Sequence, residues 1–303
     1  MIISASRRTD ICAFHSEWLM NRLDAGYVLV RNPVHRSLVQ RVPLTPDRVD
    51  HMVFITKDPR PMLAHLSDVV KDYDVSFQVT ITPYDGRMEP NVPDADIVME
   101  SFIQLSGIVG PDRCTWRYDP VILYDRFSVE SHLDTFDRMC SVLKGHTRRC
   151  IFSFLEHHRK SEDILAHLGV RSPSAKGRDL LVSGMERIAT ANGMELSSCC
   201  TDSIGHLGIS RRACIDGRSM KTWGIPYTMP SAQVREGCGC VKVVDIGEYD
   251  TCSHDCRYCY ANSASSVERR GRRYDPNSEM LVGHLSEGDT VTEMVVSSQT
   301  RLM

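Results

Sequence analysis

Up to about residue 200 the chain alternates short β-branched or aromatic runs with longer segments whose apolar positions recur at helical spacing. That is the pattern of strands and helices taking turns. The strand candidates are Ile2–Ser6, Tyr27–Arg31, Met52–Thr56, Val75–Thr82, Arg113–Tyr118, Cys150–Leu155 and Met194–Ser198. Each is short and apolar at most positions, as strands covered on both faces should be. Phe14, Trp18 and Leu23 lie near helical spacing before Gly26, and Thr45-Pro46 reads as an N-cap with proline at the first helical position. Pro61–Tyr73, Asp94–Ile108, Ser128–Leu143 and Ser174–Asn192 supply further amphipathic helices. The alternation predicts an α/β fold, with a parallel sheet or (β/α) barrel occupying residues 1–195. Past Asn192 the texture changes to Cys, Gly and short runs, so residues 196–303 read as a Cys-rich region that ends in a polar tail after Tyr274.

The strand ends carry more chemistry than the strands. Ile2–Ser6 is followed by Arg7-Arg8-Thr9-Asp10, Met52–Thr56 by Lys57-Asp58-Pro59, and Arg113–Tyr118 by Asp119-Pro120. In a parallel αβ array all strand carboxyl ends share one face, where such folds build their sites. Arg7, Arg8, Asp10, Lys57, Arg117 and Asp119 are therefore candidates for one charged mouth. For any one of them the plainer alternative is a turn residue or a solvated charge.

Net charge of -3 offers no basic field for nucleic acid, and no apolar stretch approaches the roughly 18 residues of a membrane span. The first residues lack a secretory pattern, so a cytoplasmic location is expected. Twelve cysteines in a reducing compartment are core thiols or metal ligands, not a disulfide framework. Eight of them crowd into Cys199–Cys259. There is no GxGxxG, Walker loop or GxSxG to support those forms of nucleotide binding or serine hydrolysis.

The densest segment, Thr251-Cys252-Ser253-His254-Asp255-Cys256-Arg257-Tyr258-Cys259-Tyr260, has the spacing Cys-x3-Cys-x2-Cys between a strand candidate, Val241–Ile246, and a helix candidate, Ser263–Arg272. A structural zinc site wants four ligands in two close pairs, whereas iron–sulfur clusters take thiolates in compact runs. Three thiolates leave one iron of a four-iron cluster open. Cys200, Cys214, Cys238 and Cys240 are enough for a second four-thiolate site, either iron–sulfur or tetrahedral zinc. Cys199 adjoins Cys200, and neighbours on an extended strand point oppositely, so only one of the two is expected to ligate. His254, inside the loop, reads as a cap or a solvent-facing residue. Glu156, at a strand end, is a further candidate to meet cofactor or substrate.

The triple, with Tyr258 just before its last Cys, resembles the cluster loop of the radical S-adenosylmethionine superfamily. The resemblance implies a four-iron four-sulfur cluster on Cys252, Cys256 and Cys259, S-adenosylmethionine on the open iron, and reductive cleavage to a 5′-deoxyadenosyl radical. It also implies Tyr258 packing near the adenine, Arg7 and Arg117 meeting the cofactor, and an electron donor such as flavodoxin or ferredoxin. The chain as a whole resembles the bacterial family known as domain of unknown function 1848, through Ile2–Asp10, Gly26–Pro33, Val53–Pro59, Trp116–Pro120, Cys238–Val241 and Asp245–Asn262. That family has no established reaction, so the substrate stays open. Because the loop lies late in the chain, the expectation is a circularly permuted, partial (β/α) barrel whose first strand is Val241–Ile246. Two alternatives remain: a structural or sensing protein whose iron–sulfur or zinc centre only holds the fold, and a barrel hydrolase or lyase using the charged mouth.

Overall fold

The computed structural model describes residues 1–156, 158–200, 202–231, 237–263 and 274–295. It contains β1 (Ile2–Ala5), α1 (Ile11–Phe14), α2 (Ser16–Ala25), β2 (Tyr27–Arg31), β3 (Leu38–Pro43), β4 (His51–Thr56), α3 (Arg60–Asp72), β5 (Val75–Thr80), α4 (Ala95–Val109), β6 (Cys114–Val121), α5 (Val129–Leu143), β7 (Arg149–Phe154), α6 (Glu162–His167), α7 (Ala175–Ala191), β8 (Glu195–Ser198), β9 (Ser210–Arg211), α8 (Gly217–Thr222), β10 (Val244–Asp245) and β11 (Thr290–Glu293). Eight strands form one parallel sheet in the order β10-β1-β4-β5-β6-β7-β8-β9. The fold is α/β, and each strand from β1 to β9 in this sheet adds on the same side as the chain proceeds. The late strand β10 joins at the β1 edge, with Ser4 opposite Asp245.

One face of the sheet is apolar. Ile3, Phe54, Phe77, Val79, Trp116, Tyr118 and Phe152 pack beneath α1–α5 and α7 in a single core. Buried aromatic and aliphatic side chains of this size contribute roughly 1.5–3 kcal/mol each. Tyr118 donates its hydroxyl hydrogen to His132 Nδ1 at 2.6 Å, while Nε2 donates to the Ile122 carbonyl at 3.0 Å, so this histidine is a neutral core residue.

The opposite face is also covered, yet it is polar. All of β5 is buried, but Ser76 and Gln78 point away from the helices, and Gln78 Nε2 donates to the Cys214 carbonyl at 2.7 Å. The cover here is the segment around Ile215, Met220, Cys238, Cys240 and Val241, packed against Ile2 and Val53. Double coverage therefore did not require apolar residues at every position.

Two local expectations are corrected. Tyr27–Arg31 does not enter the parallel sheet. It pairs antiparallel with Leu38–Pro43, which pairs in turn with β11. The short link between β2 and β3 is of hairpin length, whereas a parallel crossover needs a dozen residues or more. Thr45-Pro46 opens only a turn, closed by Arg48 and Val49 amides on the Thr45 carbonyl, before β4 begins at His51. The Ser263–Arg272 helix candidate lies outside the described residues. Part of the supposed tail packs back onto the body: Met280 and Leu281 are buried, and Trp18 Nε1 donates to the Ser278 carbonyl at 2.9 Å. No helix among the described residues is long and apolar enough to cross a membrane.

A buried ion network ties the covering segment to the sheet. Arg149 of β7 meets Asp216 at 2.5 Å, Arg212 meets it at 2.9 Å, and Asp216 caps α8 through the Ser219 amide. Burial opposes ionisation of Asp216, but Arg149, Arg212 and Ser219 together hold its carboxyl down at about 2. Asp216→Asn leaves the buried Arg149 guanidinium without its carboxylate, while Arg212 keeps Glu195 at 2.7 Å, and should cost roughly 3–5 kcal/mol in urea unfolding.

Burial holds the His15 imidazole down at about 4, so folding keeps it neutral. Unfolding lets it bind a proton. Its contribution is intact above the ordinary value near 6.5 and is lost as pH falls from there to about 4, by roughly 3 kcal/mol. His15→Phe should flatten this part of the stability profile. An unchanged slope would show that other groups set it.

Candidate functional site

The carboxyl ends of β10, β1, β4, β5 and β6 do share one edge, and the thiol loop sits there. Asp245 is the first fixed point. Its carboxylate accepts from Ser6 Oγ at 2.5 Å, the Arg7 amide at 2.8 Å and the Gly247 amide at 3.0 Å, and Arg7 Nε lies 3.8 Å away. Gly247 passes so close to β1 that a Cβ there would lie 2.6 Å from Ser6 Cβ.

Asp10 is the second fixed point. It caps α1 through the Ala13 amide, accepts from the Lys57 amide at 2.7 Å and accepts from His254 Nε2 at 2.9 Å. His254 is buried, not solvent-facing, and it anchors the loop to the sheet. The loop is held elsewhere by Asn91 Nδ2 on the Ser253 carbonyl at 2.8 Å, the Arg257 amide on the Met88 carbonyl at 2.9 Å, and the Tyr260 hydroxyl on the Arg7 carbonyl at 2.6 Å.

Within this frame the three sulfurs of Cys252, Cys256 and Cys259 lie in one another's electrostatic range. Burial raises the Cys252 and Cys256 thiols well above their ordinary values, and Asp10 adds to this at Cys252. Lys57 acts in the other direction on Cys256. The Ala261 amide donates to Cys259 Sγ at 3.3 Å. Behind Cys256, Glu89 accepts from Lys57 Nζ at 2.9 Å, from Thr82 Oγ1 at 2.8 Å and from the Tyr258 hydroxyl. Burial opposes the Lys57 charge, but Glu89 and the Cys256 sulfur hold its affinity for the proton above the ordinary value.

Arg7, just past β1, and Arg117, on β6, approach from the same edge of the sheet. Both act on the Tyr260 hydroxyl, whose proton affinity burial raises. Arg117 pairs with Asp119, which also accepts from Ser153 Oγ. Arg8 goes elsewhere, to the Gly247 carbonyl and the ring of Tyr249, and Glu156 is exposed. The remaining clustered thiols also meet: Cys199 Sγ lies 3.0 Å from Cys214 Sγ, and the free Cys240 thiol is within hydrogen-bonding reach of Cys214 and Cys238. A hydrogen bond from Cys240 holds Cys238 below its ordinary value, with Arg7 adding to the effect.

Sequence reasoning missed Glu89, Asp245, Tyr260 and the anchoring role of His254. Glu89 lies in a loop with no strand end to mark it, and only its burial discloses it. Among the described residues no three His, Cys, Asp or Glu side chains surround one point as a single ion requires. A four-iron cluster makes a different demand, since its thiolates sit at separate corners of an inorganic core. Three half-buried cysteines on one loop, a backbone amide aimed at one and an ammonium acting on another fit that demand.

Gly247→Ala should drive β1 and β10 apart and cost about 1–3 kcal/mol by chemical unfolding. Gly86→Ala, where an added Cβ meets nothing within 4 Å, serves as the neutral control.

A comparison with curated proteins finds no match. The protein-family model described as domain of unknown function (DUF1848) matches residues 2–261, a span that takes in every strand of the parallel sheet and the whole Cys252–Cys259 loop. The chain belongs to the DUF1848 family.

Proposed function

We propose that this protein is an iron–sulfur enzyme of the radical S-adenosylmethionine type, with Cys252, Cys256 and Cys259 as ligands of a four-iron four-sulfur cluster. The observation that carries the reading is the position of the loop: it follows the strand beside β1, with three half-buried cysteines in one another's electrostatic range and Lys57 acting on Cys256. The sequential strand order, with β10 ahead of β1, supports a circularly permuted, partial (β/α) barrel wall.

A cluster held there with one iron open would supply the electron for reductive cleavage of S-adenosylmethionine. The chain's own residues have separate tasks. Asp10 and His254 fix the loop, and the Ala261 amide stabilises negative charge on Cys259. Lys57 balances charge at Cys256 while Glu89 keeps it protonated and in place. Arg7 and Arg117 offer cations to the carboxylate of the bound cofactor through charge-assisted hydrogen bonds. Tyr258, tethered to Glu89, sets the backbone that packs near the adenine. A flavodoxin or ferredoxin is the class of electron donor this chemistry needs. The substrate is not identified by these residues.

Protein purified without oxygen should be brown, and dithionite with S-adenosylmethionine should release 5′-deoxyadenosine. Cys256→Ala should reduce release to background with the fold intact by circular dichroism. Lys57→Met, an outer-shell change, should lower it about 10–100-fold. A colourless protein that cleaves nothing after reconstitution with iron and sulfide would overturn the proposal.

A further inference from the structure

Among the thiols outside the Cys252–Cys259 loop, one pair stands out. Cys199 Sγ lies 3.0 Å from Cys214 Sγ, whereas its chain neighbour Cys200 has its sulfur 3.8 Å away. A covalent sulfur–sulfur bond is about 2.05 Å long, so the pair is unjoined but only about 1 Å short of bonding. The sheet holds both backbones. Cys199 follows β8, and its amide donates to the Phe152 carbonyl at 3.0 Å. Cys214 follows β9, which pairs with β8 at Ser197–Ser210 and Ser198–Arg211. The Cys214 carbonyl accepts from Gln78 Nε2 at 2.7 Å and from Arg149 at 3.3 Å.

The surroundings suit a neutral product. Cys214 packs against the apolar cluster of Ile2, Val53, Ile215 and Met220, and a disulfide brings no charge into it. A tetrahedral zinc spaces its sulfurs about 3.8 Å apart, and the thiolates on separate corners of a four-iron core stand farther still. The contact is closer than either. Access and charge assign the roles within the pair. Cys199 is buried and Cys214 half-buried, so a small molecule meets Cys214 first. Arg117 lies in electrostatic range of both sulfurs, and a neighbouring cation favours the thiolate that attacks. Hydrogen bonds with Cys200 and Cys214, and then burial, keep the proton on Cys199, which leaves Cys214 as the attacking sulfur.

We infer that Cys199 and Cys214 form a reversible disulfide, a redox-modification site whose co-reactant is a small organic disulfide. Cys214 attacks one sulfur of that molecule and breaks its S–S bond, and the departing thiol carries off the Cys214 proton. Cys199 then attacks the Cys214 sulfur, and the second small thiol leaves with the Cys199 proton. The pair loses two electrons and the small disulfide, reduced to two thiols, gains them. Excess thiol runs the same steps backwards. The bond fastens β9 to β8 where the sheet ends. A single labile bond is a different use of cysteine from a structural framework, and it is the use that a reducing compartment permits.

The test treats the full chain, without oxygen, with 2-hydroxyethyl disulfide, then alkylates the remaining thiols and maps tryptic peptides by mass spectrometry. Cys214 falls in the peptide of residues 213–218 and Cys199 with Cys200 in that of residues 188–211. These two peptides should appear joined, with alkylation lost at Cys199 and Cys214 and restored by dithiothreitol. Cys199→Ser should abolish the link and Cys200→Ser should keep it. Fragment ions separate Cys199 from Cys200 in the wild type, so the assignment stands even if a variant fails to fold. Cys199 and Cys214 both remaining open to alkylation would overturn the inference. So would Cys214 joined instead to the peptide of residues 236–242, which carries Cys238 and Cys240, or bound zinc or iron that is lost in Cys199→Ser. The loop cysteines fall in other peptides, residues 243–257 and 258–269, so failure here leaves the cluster reading untouched.

Discussion

The join between β1 and β10 is the constraint on which the thiol loop depends. It brings together residues 2–5 and 244–245, nearly the whole chain apart, through only two paired positions. Two residues of parallel ladder are too few to hold themselves. Asp245 supplies what the ladder lacks: one carboxylate gathers Ser6, the Arg7 amide and the Gly247 amide. Charge-assisted hydrogen bonds contribute about 1.5–3 kcal/mol each, more than neutral ones. The same carboxylate fixes the backbone of Arg7, so the position of the loop and the position of this cation are set by one group.

Much of the fold was legible because its helix-facing side is ordinary. The helices read as Pro61–Tyr73, Asp94–Ile108, Ser128–Leu143 and Ser174–Asn192 form within a residue or two at each end. Their apolar stripes and caps at Ser128 and Ser174 are local signals that tertiary contacts did not override. What was hidden is the inner face. Ser76, Gln78, Thr115 and Arg149 break the apolar runs of strands that are nonetheless covered on both sides. For Gln78 and Arg149 the partners, Cys214, Asp216 and Ser219, lie far along the chain. Strands of two residues, such as β9 and β10, carry too little periodicity to be delimited from sequence.

The site was legible where chemistry is dense and hidden where it is dispersed. Spacing alone singled out Cys252, Cys256 and Cys259, and strand-end charge singled out Asp10, Lys57, Arg7 and Arg117. Arg8, also at a strand end, turns toward the Gly247 carbonyl and the Tyr249 ring, because neighbouring side chains at a strand end diverge. Asp10 proves to be a scaffold joining α1, β4 and the loop, which is a different role from touching a substrate. Glu89 had no motif to announce it. Its importance lies in accepting three hydrogen bonds at once beside a buried ammonium.

The thiol loop and the cations around it obey one electrostatic logic. Burial favours the protonated form of Cys252 and Cys256. The cations needed to stabilise thiolates are nevertheless present, each held by a carboxylate: Lys57 by Glu89, Arg7 by Asp245 and Arg117 by Asp119. Such pairing removes the large cost of burying an isolated charge before any ligand arrives. Were the loop thiols to lose their protons to the proposed cluster, each cation would be shared between its carboxylate and the new sulfur charge without leaving its place. Ligation as proposed would then require proton release but little movement of the surrounding side chains, which is the condition for holding a centre in one geometry.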